Sequence, residues 1–196
     1  MARLNPQNVE LANEIIARYP RTRSALIPLL HVAQEQDGWV TEEAMEHIAE
    51  LLGLTPAEVL GTCSFYEMFK REPVGKYVIN ICGGISCMLM GSDDLHHHAE
   101  ESLGIKAGAT TADGMFTLQH VECIAACDGG PCLAVNYRYK LDVSNAAFDA
   151  LIDDLRNGRL DAEIPPHGTT TRVRQKTAPE KWSGKGSEGL PKVWVL

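Results

Sequence analysis

Lys76-Tyr77-Val78-Ile79-Asn80-Ile81-Cys82-Gly83-Gly84-Ile85-Ser86-Cys87 is the stretch that decides the reading of this chain. Its first half is β-branched and aromatic, follows a glycine and runs into Gly83-Gly84, which predicts a strand. Its second half carries two cysteines spaced C-x4-C where that strand gives way to a loop. The pattern then recurs. Met115-Phe116-Thr117-Leu118-Gln119-His120-Val121 alternates as a strand, and Cys123 and Cys127 follow it, spaced C-x3-C. Four thiolates from two loops suffice to surround a small metal centre.

Between the two strands a helical stretch covers about 88–103. Cys132-Leu133-Ala134-Val135-Asn136 and Tyr139-Lys140-Leu141-Asp142-Val143 predict a hairpin. Ser144 is placed to cap a last helix, through about Leu155. The order β-α-β-β-β-α implies a small α/β sheet with helices packed on it.

Upstream, residues 1–72 read as helical. Leu11, Ile15 and Ile16 mark an apolar stripe. Ser24 is the expected cap of a second helix, which Asp37-Gly38 stops. Thr41 caps a third, with Glu42 and Glu43 in its acidic first turn and Gly53 at its end. Thr55-Pro56 opens a short fourth helix. The expected organisation is α+β: a helical domain over 1–72, a cysteine-bearing domain over 73–160, and an extended tail over 161–196. Pro, Gly, Thr, Ser and Lys dominate that tail. Its apolar end, Val193-Trp194-Val195-Leu196, points to docking on this chain or on a partner.

Charge is divided unevenly. Residues 1–163 hold 12 Lys/Arg against 24 Asp/Glu, and residues 164–196 hold 6 against 2. An acidic body is unsuited to phosphate backbones, so nucleic acid is excluded as a partner. A basic tail suits an acidic protein surface. No apolar run approaches the roughly 20 residues of a membrane span, so no direct membrane insertion is expected. The N-terminus lacks the apolar core of a secretory signal.

Soft thiolate ligands select zinc, Cu(I) or iron–sulfur clusters. Zinc knuckles use C-x2–4-C spacing, and both pairs fall at the wide end of that range. Iron–sulfur loops run wider, and Gly83-Gly84 and Asp128-Gly129-Gly130 supply close backbone N–H groups for sulfur. Spacing and flanks therefore favour a [2Fe–2S] cluster and leave a structural zinc module and a thiol-redox enzyme as rivals. The thiol rival lacks its C-x2-C signature. Cys63 reads as a small buried apolar residue. Cys132, five residues past Cys127, is read as lying outside the ligand set. His96, His97 and His98 point about 100° apart and cannot converge on one ion; Asp94 is the expected partner of His98. The chain has no Gly-rich nucleotide fingerprint and no nucleophile motif, so the isolated chain is not expected to be catalytic.

Three further stretches join the cysteine motifs: Ala33-Gln34-Glu35-Gln36-Asp37-Gly38-Trp39-Val40, Ser64-Phe65-Tyr66, and Thr110-Thr111-Ala112-Asp113-Gly114-Met115-Phe116-Thr117-Leu118. With them the chain, over about 10–157, resembles the 24 kDa-type (NuoE-type) subunit of NADH:quinone oxidoreductase, respiratory complex I. That resemblance implies a thioredoxin-like [2Fe–2S] ferredoxin domain with Cys82, Cys87, Cys123 and Cys127 as ligands. It implies a 51 kDa-type flavoprotein partner that binds FMN and NADH, along with further peripheral-arm subunits. In that scheme the cluster exchanges single electrons with FMN. The implied location is the cytoplasmic face of a bacterial inner membrane, peripheral to it. Related subunits serve NAD-dependent formate dehydrogenases and NAD-reducing hydrogenases.

Overall fold

The structure, a computed structural model, describes residues 3–165 and 167. Most of the expected tail, with its apolar end, lies outside the described residues. The described chain forms two compact units, one ending at Arg71 and the other beginning at Glu72.

The first unit is helical: α1 (Pro6–Ile16), a 3₁₀ turn (Thr22–Ala25), α2 (Leu26–Asp37), α3 (Glu42–Leu52) and α4 (Pro56–Phe65). Short polar side chains start three of the helices by accepting otherwise unpaired N–H groups. Asn5 accepts from Asn8 N–H at 2.8 Å, and Thr41 accepts from Ala44 N–H at 3.1 Å. Thr55 and Glu58 form a reciprocal capping box. Gly38 and Gly53 end α2 and α3 at φ 81° and 66°, a region where a Cβ is strained. Ser24 does not cap α2. It lies inside the 3₁₀ turn, whose i→i+3 bonds lead directly into the helix. Leu29, Leu30, Ile48, Val59 and Cys63 are fully enclosed in the core. Gln34 spans the chain end of this unit: its amide donates to Met68 C=O at 2.9 Å and accepts from Lys70 N–H at 2.7 Å.

The second unit is built on a four-stranded sheet in the order β2-β1-β3-β4. The strands are β1 (Tyr77–Cys82), β2 (Phe116–Val121), β3 (Leu133–Val135) and β4 (Arg138–Lys140). β1 pairs parallel with β2 and antiparallel with β3, and β3 and β4 form the expected hairpin. A central strand is covered on both sides, which explains why all six residues of β1 are buried. Alternation puts Tyr77, Ile79 and Ile81 on one face. They share a core with Phe116, Leu118, Leu133 and Val135 and with two helices, α6 (Ser92–Leu103) and α7 (Asn145–Arg156). Leu95, Ala99 and Leu103 of α6 and Phe148, Leu151, Ile152 and Leu155 of α7 are the helical contribution. Ser144 caps α7 by accepting from Ala147 N–H at 3.2 Å. Packing of this unit continues past residue 160: Ile164 is buried in the same core, and His167 N–H donates to Lys76 C=O at 2.8 Å.

The helical stretch expected over 88–103 is two helices. α5 (Ile85–Leu89) ends before Gly91, which adopts φ 98° and restarts the chain into α6. The α+β class read from the sequence therefore holds, with the mixed sheet as its centre.

His31 packs edge-on against Phe69 at 4.9 Å between ring centroids, and its Nδ1 is buried with no hydrogen-bond partner. Burial lowers its pKa below the usual 6.5. The unfolded chain thus takes up a proton that the folded helical unit resists, and stability falls as pH drops below about 6.5. Urea unfolding should show a lower midpoint at pH 5.5 than at pH 7.5, and His31→Phe should flatten part of that slope. An unchanged slope in His31→Phe would contradict this account.

Candidate metal centre

The sheet places the cysteines before any ligand is considered. β1 and β2 run parallel with Cys82 level with Val121, so both strands release their loops at the same edge. β3 runs the other way and starts at that edge, with Leu133 beside Ile81. The N–H of Cys82 donates to the carbonyl of Cys132 at 3.1 Å, fixing these two residues side by side. Cys87 arrives on α5, five residues beyond Cys82, and is the buried residue of that short helix.

The result is a compact group of sulfurs. Those of Cys82, Cys87 and Cys132 all lie within 4.8 Å of one another, and all three residues are buried. Cys87 Sγ and Cys132 Sγ are 3.5 Å apart. Ile124 and Ala126 pack against this group from the loop after β2. That loop exposes Cys123 and Cys127. Cys123 is the neighbour that most affects the Cys127 thiol, with Ser86 and Cys87 contributing less. Of the four cysteines singled out from the sequence, the structure brings Cys82 and Cys87 together with Cys132 in one close group, and it leaves Cys123 and Cys127 exposed on the loop that leaves the same edge of the sheet. Cys63 stands apart, buried in the helical unit, where burial pushes its thiol up to about 11.

Backbone N–H groups point at the sulfurs. Burial alone would raise the Cys82 thiol, but donors from Ile124 and Gly84, with the neighbouring thiols of Cys87 and Cys132, bring it below the ordinary value. Ala125 N–H donates to Cys123 Sγ at 3.4 Å. Ala125 reaches that position at φ 60°, a conformation that costs a non-glycine residue on the order of 1 kcal/mol. Contact between Cys123 and Cys127 raises the Cys127 thiol. Burial, and then contact with Cys87, raises that of Cys132.

Glycines keep the walls thin. A Cβ on Gly84 would lie 3.1 Å from Cys123 Cβ, and one on Gly130 would lie 3.4 Å from Cys87 Sγ and 3.0 Å from Met90 Sδ. Gly83 is pressed against the His120 ring, where a Cβ would come within 2.3 Å of Nε2. Paired thiols, donated N–H groups and closely approaching backbone fit a thiolate-held iron–sulfur centre. Around it, Ile85, Leu89 and Met90 are exposed, at 65%, 79% and 54%. These side chains form an apolar rim beside Cys87.

The histidine run does not join the site as a unit. His96 packs against His120 at 4.9 Å between ring centroids, while His98 Nε2 pairs with Asp149 Oδ1 of α7 at 2.8 Å. The expected local pair with Asp94 gives way to this partner across the helix packing.

A family model described as thioredoxin-like [2Fe-2S] ferredoxin matches residues 12–156. Among curated proteins, the chain is 43% identical over 146 residues to the E subunit of the NADH-quinone oxidoreductase of Mycobacterium tuberculosis. That alignment covers 74% of this chain and 58% of the mycobacterial protein, so the chain spans under two thirds of that relative. Subunit 2 of the NADH-quinone oxidoreductase of Thermus thermophilus is 40% identical over 158 residues, covering 79% of this chain and 87% of that one. The E 2 subunit of the same oxidoreductase in Rhizobium meliloti is 41% identical over 71% of this chain and 83% of its own length. Among solved structures, an NAD+-reducing [NiFe]-hydrogenase in the H2-reduced state matches with a TM-score of 0.60 at 23% identity. It covers 88% of this chain and 24% of the hydrogenase chain, and it shows the shared fold.

The glycine wall supplies a test of the site. Gly84→Ala should push the Cys123 arm outward and reduce iron bound per chain after anaerobic reconstitution, at a cost of about 1–3 kcal/mol from overpacking. Unfolding of the helical unit should be unchanged. Full iron retention in Gly84→Ala would show that the arm does not need this close approach.

Proposed function

The chain belongs to the thioredoxin-like [2Fe-2S] ferredoxin family, and from that premise we propose that it is the electron-transfer subunit of the NADH-input module of an NADH:quinone oxidoreductase. The observation that supports this reading is that β1 and β2 end level, so that the loops bearing Cys82 and Cys87 and, after β2, Cys123 and Cys127 leave one edge of the sheet. In this reading these four cysteines are the ligands. Relatives at 40–43% identity carry the name of that oxidoreductase, and this favours it over the hydrogenase, whose likeness is one of fold.

A [2Fe–2S] cluster supplies a one-electron couple that no side chain in this chain provides. The chain's own residues set the conditions for it. Cys82 and Cys87 hold from the buried side, and Cys123 and Cys127 hold from the exposed loop. Gly84, Ile124 and Ala125 offer N–H groups that favour negative charge on sulfur. Ile124 and Ala126, partly buried, pack against the buried thiols. Catalysis of NADH oxidation belongs to a partner flavoprotein that binds FMN and NADH, and this chain receives or returns single electrons beside it. The apolar rim of Ile85, Leu89 and Met90 is suited to that partner, because it is exposed on and beside the short helix that carries Cys87. Among the described residues no helix is long and apolar enough to cross a membrane. The reading places the chain on the cytoplasmic side, held to the membrane through its complex.

Replacement of any one of Cys82, Cys87, Cys123 or Cys127 by Ser should lower bound iron and sulfide at least severalfold, because a hydroxyl is a poor substitute for a soft thiolate. Cys63→Ser should retain both. Iron and sulfide assays on anaerobically purified protein decide the matter. Full retention in any of the four would remove that residue from the ligand set.

A further inference from the structure

Cys132 is the one thiol at this edge that the four-ligand reading leaves without a task. It is fully enclosed, it follows Pro131 into β3, and its carbonyl is held by the N–H of Cys82. Its sulfur lies 3.5 Å from that of Cys87 and within 4.8 Å of that of Cys82. Resting on the ligand assignment above, we propose that Cys132 is a potential-setting residue whose S–H donates a hydrogen bond to the Cys87 ligand sulfur.

The direction follows from the chemistry. A thiol and a thiolate cannot both donate. Cys87, once it holds metal, has given up its proton, so the donor across the 3.5 Å contact is Cys132. Its position inside the core excludes water as a competing donor at this sulfur. A fifth ligand role is disfavoured by placement: the exposed loop already brings Cys123 and Cys127 to the site, while Cys132 sits on the strand side with its backbone locked. A donor at a ligand sulfur withdraws electron density and stabilises the reduced, more negative state. Removing it lowers the reduction potential, and restoring any donor there recovers it. Simple space-filling predicts neither of these changes.

Cys132→Val removes the donor while nearly conserving shape, and Cys132→Ser keeps a hydroxyl donor. The experiment is an anaerobic spectroelectrochemical titration of the full chain carrying its cluster, followed in the visible. In Cys132→Val the oxidised-to-reduced ratio at a fixed ambient potential should rise about fivefold. In Cys132→Ser it should stay at or below the unsubstituted value. Equal potentials in all three proteins, or equal shifts in both variants, overturn the proposal and leave Cys132 as packing. Loss of iron from both variants in folded chains makes Cys132 a ligand and overturns it as well. Failure of the underlying reading shows separately, as an unsubstituted chain that binds no iron and sulfide, and the proposal falls with it.

Discussion

Six register pairs, from Tyr77 beside Phe116 to Cys82 beside Val121, run β1 and β2 in the same direction and end them level. A parallel pair cannot be closed by a tight turn, so the chain must cross over through a helical segment, here α5 and α6. That crossover is why two short cysteine motifs 41 positions apart, Cys82 and Cys123, open from one edge of one sheet. Slipping either strand by a single residue would turn its cysteine-bearing end to the other face and undo the convergence. The buried face of β1, with Tyr77, Ile79 and Ile81 against α6 and α7, fixes that register.

The antiparallel placement of β3 adds the next layer. It brings the start of a third strand back to the same edge and inserts Cys132 beside Cys82 and Cys87. The site is consequently asymmetric. Its strand side is enclosed and rich in sulfur, and its loop side is open, edged by exposed apolar residues of α5. An electron carrier needs this combination: one side insulated from water, the other close enough to a partner for transfer. A structural zinc site has no need of the apolar rim.

Much of this was legible in the chain itself. Strand β1 announced itself through a β-branched run leading into Gly83-Gly84, and β2 through the alternation over 115–121. Thr41, Thr55 and Ser144 marked helix starts because a cap is a local interaction written within four residues. The cysteine pairs were visible as spacing, and the resemblance gave them a family. What was not legible depends on distant partners. The break at Gly91 splits one helical pattern into α5 and α6, and a lone glycine does not reveal whether it will take φ 98°. The pairing of His98 with Asp149 depends on how α6 meets α7. The closeness of Cys132 to Cys87 follows only from the pairing of β3 with β1, since nothing in a five-residue offset from Cys127 tells which sulfur it will meet.

The central claim is that four cysteines gathered by a parallel strand pair hold a one-electron [2Fe–2S] centre. Its most direct test is an EPR spectrum of the anaerobically purified chain, oxidised and then reduced with dithionite, alongside iron and acid-labile sulfide assays. The account predicts a silent oxidised sample, a rhombic signal from one unpaired electron on reduction, and iron equal to sulfide. Zinc without sulfide, in protein never exposed to air, would contradict it.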